Sequence, residues 1–375
     1  MTILDFHAGH LRALEAKHRR RALVPRRGID FASNDYLALA DSDLLREAAR
    51  AAIDRGVPVG SGGSRLLRGN QPEHEALEAE AAAHFGAASA LFFSSGYAAN
   101  AAFFAALPQR GDLILHDELI HASVHEGMRL GKATCIAARH NDAISFADEA
   151  ARWRAGGGRG RIWIAVESLY SMDGDRAPLA DLAALAREHE AFLVIDEAHA
   201  TGVFGPDGRG LAADLEGRDD IITLHTLSKA LGCEGALVCG PKAIIDFLVN
   251  RGRGFIFSTA PSPLMAAVSR AAIAICRDGE RQSRLQSLIA ASGTLFAERL
   301  GLAPTGTQII PLLLGANART MAAAAYLQQQ GFDVRGIRPP TVPEGTSRLR
   351  ISLTLNVGLP EIEALIAAIE AALAR

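Results

Sequence analysis

Between residues 45 and 240 two patterns take turns along the chain. Stretches such as HEALEAEAAAHF and LADLAALAREHEA have helical spacing, and between such stretches lie the short apolar runs ALFF, DLILH, RIWIAVES, AFLVIDEAH, DIITLHT and GALVCG. A strand covered by helices on both faces has no polar side to show, so unbroken apolar runs between helices predict a buried, mostly parallel sheet. Near 276 the pattern changes to a long mixed helix, then IIPLLLG, a helix around AAAAYLQQQG, the strand-like RLRISLT and a final helix LPEIEALIAAIEAALA. That order predicts a smaller α+β domain. At the other end, Leu4, Leu11 and Leu14 predict an amphipathic helix ending before Pro25, and IDFASNDYLAL predicts a short strand and turn. The expected division is a lead-in over 1–44, a large α/β domain over 45–275 and a small domain over 276–375. RAGGGRGR, 154–161, reads as a flexible loop before a strand.

Composition narrows the partners. The 375 residues, 49% of them hydrophobic, suffice for a large core and more than one domain. A formal charge of −3 gives no general attraction to nucleic acid or anionic membranes, although Lys17, Arg19, Arg20, Arg21, Arg26 and Arg27 crowd together. Neither partner is expected. Cys135, Cys233, Cys239 and Cys276 form no CxxC pair, which fits a reducing cytoplasm better than a disulfide framework. No apolar run approaches the roughly 18 residues of a membrane span, and the N-terminus lacks a secretory h-region, so secretion and membrane insertion are not expected.

In α/β sheets ligands bind beyond the carboxyl ends of the strands, so the residues just after the apolar runs matter most. AFLVIDEAH ends with Asp196 and His199; RIWIAVES leads to Glu167 and Ser171; DIITLHT leads through Thr226 to Lys229. Lys229, in TLHTLSKALG, has no acidic neighbour in sequence before Glu234, and an ammonium in a dry place is costly unless it is used uncharged. Each residue alone has a structural explanation: a carboxylate after a strand caps helices, and a lysine near glycine is solvated. D-E-A-H at 196–199 matches a helicase box, but no G-x-x-x-x-G-K-[ST] loop accompanies it, GMRLGKA having the wrong spacing. His121 and His125, four apart, suggest metal ligands, yet Ala122 stands where HExxH needs glutamate. Taken together, the lysine, the aspartate, a flat histidine and a hydroxyl-rich anion pocket match pyridoxal phosphate. Its aldehyde takes up the lysine amine, and an anion beside its pyridine nitrogen keeps the ring protonated. SSGYAANAAFFAAL, 94–107, is a glycine turn opening a helix, whose free N–H groups suit the phosphate.

The fragments SNDYLAL, GSGGSRLLRGN, SSGYAAN, DELIHAS, ESLYSMDGD, DEAHATGVFGPDGRG, TLSKA, FSTAPSP and IRPPTVPEGTSRLRISL occur in this order from Asn34 towards the end. In that order they resemble the α-oxoamine synthases, pyridoxal-phosphate enzymes of fold type I that join an amino acid to an acyl-CoA with loss of carbon dioxide. The resemblance implies that Lys229 bonds the cofactor aldehyde, Asp196 partners the pyridine nitrogen and His121 stacks on the ring. It implies His199 and Ser171 at the phenolic oxygen, and Gly96, Tyr97 and Thr226 at the phosphate. Ser258 or Thr259 would reach the phosphate of a neighbouring subunit, so a homodimer with shared sites is expected. Arg350 resembles the arginine that receives the amino-acid carboxylate; Asn34 and Thr341 would line the substrate side, and Glu167 would be positional. One of Arg19, Arg20 and Arg21 matches an arginine for the far end of the acyl chain. The implied substrates are an amino acid and an acyl thioester, carried by CoA or an acyl carrier protein. Ala38 and Ser228 depart from the family pattern, which has glycine at both places, and neither change removes a reacting group.

Overall fold

The structure, a computed structural model, describes residues 3–374. Its contacts divide into two units: one comprises 37–170 with 175–283, the other runs up to Tyr36 and takes in 171–174 and everything from Arg284 on. Strand β1 (Ile29–Asp30) lies in the second of these.

The larger unit is built on a seven-stranded sheet: β2 (Ser89–Phe93), β3 (Leu113–Asp117), β4 (Thr134–Ala138), β5 (Ile162–Glu167), β6 (Phe192–Asp196), β7 (Ile221–Thr226) and β8 (Ala236–Gly240). Their spatial order is β2-β8-β7-β6-β5-β3-β4, and only β8 runs against its neighbours. The apolar runs are buried on both sides because alternate side chains enter different cores. Ile114, Trp163, Ala165 and Val194 join Phe103 and Phe104 on one face. Leu113, Leu115, Ile162, Ile164, Leu193 and Ile195 join Phe146 and Leu182 on the other. At about 1.5–3 kcal/mol for each large apolar side chain taken fully out of water, these two layers are the main force holding the sheet. Parallel order brings the carboxyl ends of β2, β3, β5, β6 and β7 to one edge.

The smaller unit carries β9 (Ile309–Gly315), β10 (Phe332–Asp333), β11 (Arg335–Ile337) and β12 (Ser347–Ser352). β12 lies antiparallel between β11 and β9, and β1 pairs in parallel with β10. That pairing explains where the N-terminal segment goes. Ile29, Phe31 and Tyr36 are tied by backbone hydrogen bonds to Gly331, Asp333, Ser352 and Leu355, so the expected 1–44 lead-in is divided: its part up to Tyr36 belongs with the C-terminal residues and 37–44 with the larger unit. The later boundary falls at 283/284 instead of 275/276, because the helix Pro263–Cys276 packs on the helices Asp43–Asp54 and Pro72–His84. The long mixed helix expected after 276 is Glu280–Leu300, separated from the preceding helix Pro263–Cys276 where Gly279 takes φ +73°.

The N-terminal helix spans Asp5–Ala16, yet Leu11 and Leu14 are exposed, so its apolar stripe is not covered within this chain's described residues. β4 was not foreseen: it is an edge strand, TCIAA, whose first two residues are exposed, so it lacks the long unbroken apolar run that marks the buried strands.

Candidate active site

The helix Gly96–Ala106 starts directly after β2. Its first N–H groups have no acceptor within the helix, and the side chain of the cap residue Ser95 accepts that of Ala98, at 3.1 Å. Glycine is required at its first position: a Cβ on residue 96 would stand 2.7 Å from Cγ2 of Thr226, at the end of β7. Here the backbone of Gly96 and Tyr97 and the side chain of Thr226 are brought together around the positive end of a helix dipole.

Asp196 ends β6 and is nearly buried. Its Oδ1 accepts the N–H of Ala198 at 2.9 Å and its Oδ2 accepts Nδ2 of Asn100 at 2.8 Å. Asn100 Nδ2 also donates to Ser123 Oγ at 3.0 Å, and Ser123 Oγ lies 2.8 Å from Nδ1 of His121. The backbone N–H of Ser123 reaches the same Nδ1 at 3.3 Å. With two donors aimed at it, Nδ1 is an acceptor, which assigns the proton to Nε2. Electrostatics agree: burial lowers the pKa of His121, the negative charge of Asp196 opposes this, and the charge of Lys229 lowers it further. Lys229, half-buried in the turn after β7, thus acts electrostatically on His121, as Asp196 does. Tyr97 sets its ring edge-on to His121, 6.4 Å between centroids. His199 and Glu167 are buried near the ends of β6 and β5, and Asp196 pairs in register with Glu167. Ser258 and Thr259 lie exposed in the same unit, on a loop beside Ser94 and Phe93.

In the smaller unit Arg350, on β12, is buried among neutral acceptors. Nε donates to the carbonyl of Ser171 at 2.6 Å, Nη1 to Ser352 Oγ at 2.7 Å, and Nη2 to Asn34 Oδ1 at 3.0 Å and to the Tyr36 hydroxyl at 3.3 Å. The Tyr36 hydroxyl donates to the same Asn34 oxygen at 2.9 Å, and burial, opposed by Arg350, raises its pKa. Asn34, Ser171 and Arg350 therefore meet, although it is the backbone carbonyl of Ser171 that does so. Of the N-terminal arginines, Arg19 is paired with Glu344, Arg20 with Glu15, and Arg21 donates to Thr341 Oγ1 at 3.3 Å.

Asn100, Ser123 and Tyr36 were not anticipated as contributors. A signal for Asn100 was present: it is the one amide in an otherwise apolar or hydroxylated helix, one turn after Gly96.

The model of the aminotransferase class I and II family matches residues 26–369. The chain belongs to the aminotransferase class I and II family. Among members of known name, the 8-amino-7-oxononanoate synthase of Anaeromyxobacter dehalogenans (strain 2CP-1) is 43% identical over 99% of this chain and 96% of its own length. That of Geotalea daltonii is 43% identical over 96% of this chain and 92% of its own. Among solved structures, Sphingomonas wittichii serine palmitoyltransferase matches with TM-score 0.89 at 26% identity, covering 99% of this chain and 98% of that one. The 8-amino-7-oxononanoate synthase of Francisella tularensis matches with TM-score 0.77 at 26% identity, covering 92% and 98%. A structure of SPT with PLP matches with TM-score 0.89 at 25% identity, covering 98% and 97%. The solved structures share this chain's fold, a mostly parallel sheet flanked by helices.

Proposed function

We propose that this chain is a pyridoxal-phosphate-dependent acyltransferase that condenses L-alanine with a pimeloyl thioester, with loss of carbon dioxide, to 8-amino-7-oxononanoate, a step of biotin biosynthesis. The reaction rests on the relatives at 43% identity over nearly the whole chain. The observation that carries the cofactor reading is the Asp196–Asn100–Ser123–His121 chain, with Lys229 within electrostatic reach.

The residues present fit the cofactor. Gly96 and Tyr97 N–H groups with Thr226 form a cradle that any larger residue at 96 would fill, which suits a phosphate. Asp196, fixed at both oxygens, suits a protonated pyridine nitrogen. A neutral imidazole at His121 suits a flat ring, and His199 suits the phenolic oxygen. When bound, the cofactor supplies a sink for the electron pair left on the amino acid's α-carbon.

The chain's own residues do the rest. Arg350 exchanges its uncharged partner Asn34 for the substrate carboxylate, a gain because the guanidinium then faces an anion in place of a neutral amide oxygen. Lys229 would hold the cofactor's aldehyde, and its amine would take up the α-proton and later return one. Nε2–H of His121 would supply a donor to the thioester oxygen, where negative charge develops as the thiol leaves. Arg21, in contact with Thr341, takes the distal carboxylate of the acyl chain in preference to Arg19, which Glu344 already neutralises. Ser258 or Thr259 serves the phosphate of a second copy, so the working form is a homodimer in the cytoplasm.

Incubation with alanine, glycine or serine and a panel of acyl thioesters, following thiol release, tests the reading. Alanine with pimeloyl thioester is expected to turn over fastest. A clear preference for serine, the substrate named by the serine palmitoyltransferase match, or for glycine with acetyl-CoA or succinyl-CoA, would reassign the substrate but keep the reaction. Lys229→Ala is expected to abolish turnover and the visible absorbance of the cofactor-loaded protein. Activity persisting after dilution to monomer would refute the shared site.

A further inference from the structure

Outside the residues discussed so far, the larger unit holds an imidazole gripped from both sides. His140, in the turn after β4, lies with Nδ1 2.9 Å from Oδ1 of Asp117 and Nε2 2.6 Å from Oδ2 of Asp175. Neutral imidazole has a single N–H; with a carboxylate oxygen at each nitrogen, one lone pair would face an anion at hydrogen-bond distance. Only imidazolium donates to both. Burial opposes that charge, but the two carboxylates overcome it and push the pKa up to about 10.

The grip is built into the turn that delivers His121. Asp117, fully buried at the end of β3, uses the same Oδ1 to hold the N–H of Leu119 at 2.8 Å, and its Oδ2 to hold that of Asn141 at 2.9 Å. Its carbonyl accepts the N–H of Ile120 at 3.1 Å, and the N–H of His140 itself holds Glu118 Oε1 at 2.9 Å. Asn141 Nδ2 ties down Asp175 Oδ2 at 2.7 Å, and the ring of Tyr170 stands edge-on to His140, 4.5 Å between centroids. Every residue from 117 to 120 is thus held to Asp117 or His140, and His121 follows directly as the cap of the next helix.

We propose that His140 is a positioning residue, a fixed imidazolium that clamps Asp117 and Asp175 and through Asp117 sets the turn on which His121 is presented. Remove it, and a fully buried carboxylate loses its counter-charge, which the turn can relieve only by opening or by taking up a proton. The inference rests on the reading of His121 as the residue that meets the cofactor ring.

Two measurements on the full-length protein test it separately. In the apo-protein, 15N-imidazole resonances of His140 are expected to show both nitrogens protonated at pH 8.5; titration near pH 6.5 would overturn the clamp whatever the enzyme's substrate. In the cofactor-loaded protein, His140→Gln is expected to lower kcat about ten- to hundredfold, as small misplacements of reacting groups do, with KM for the thioester changed less than about twofold. It is also expected to shift the visible band of the bound cofactor. An unchanged kcat and band would overturn the positioning role. Should His140→Gln fail to fold, Asp175→Asn, which alters the more exposed arm of the clamp, is expected to give a smaller loss in the same direction, and no loss there would overturn it as well. If the wild type releases thiol with no amino acid tested, the functional reading fails while the imidazole measurement still decides the clamp.

Discussion

At Asp196 both carboxylate oxygens are already engaged, by the N–H of Ala198 and by Asn100. Asp196→Asn keeps the shape and removes the charge, so the variant is expected to retain the cofactor but to lose about a hundred- to a thousandfold in kcat, the scale of a deleted electrostatic stabiliser. Cofactor titration beside steady-state rates checks this, and a near-normal rate would sink the electron-sink assignment. Around Arg350 the reverse substitution is informative. Asn34→Asp puts an internal carboxylate against Nη2, where it competes with the substrate's own. KM for the amino acid is expected to rise at least about tenfold, because the substrate carboxylate must then displace an internal anion from the guanidinium in place of an uncharged amide. Asp196, Lys229 and Thr226 could be picked out from sequence because apolar runs announce where strands end. Asn100 is marked as the one amide of its helix, but its partner, 96 positions away, and that of Tyr36, 314 positions away, could not be read, since no local pattern encodes such a meeting.

Among the elements, the helix Gly96–Ala106 does most for the site, and its placement depends on the missing side chain at 96. Gly96→Ala drives a methyl to 2.7 Å from Cγ2 of Thr226, an overpacking expected to cost about 1–3 kcal/mol and to weaken binding of the cofactor phosphate. Equilibrium unfolding and cofactor titration measure the two effects; if neither moves, the cradle is looser than described. Strands buried on both faces were readable because their composition leaves no alternative to a covered sheet. β4 escaped because an edge strand tolerates polar, exposed residues, and β10 and β11, of two and three residues, are too short for any period to show. β8 read as one more buried run, and nothing in its composition tells that it alone is antiparallel.

For the molecule taken whole, several buried ionisable groups shift in a shared direction. The pKa of His140 lies above its unfolded value, so its contribution to stability is full below about pH 6.5 and is lost as pH climbs through about 10. Glu216, pushed up to about 8 by burial, adds a penalty that grows as it ionises from about pH 4.5 to 8. Urea-unfolding midpoints are therefore expected to fall between pH 7 and 10, and His140→Gln is expected to flatten that decline; an unchanged slope would contradict it. Domain order was the part least readable from the chain, since pattern along a sequence shows segments and not which distant segments pair. β1 and β10 show what that costs during synthesis. Ile29 leaves the ribosome some three hundred residues before its partner Phe332, so β1 must wait, unzipped, until β10 has emerged. The larger unit, by contrast, has all its strands in hand once Gly240 is translated.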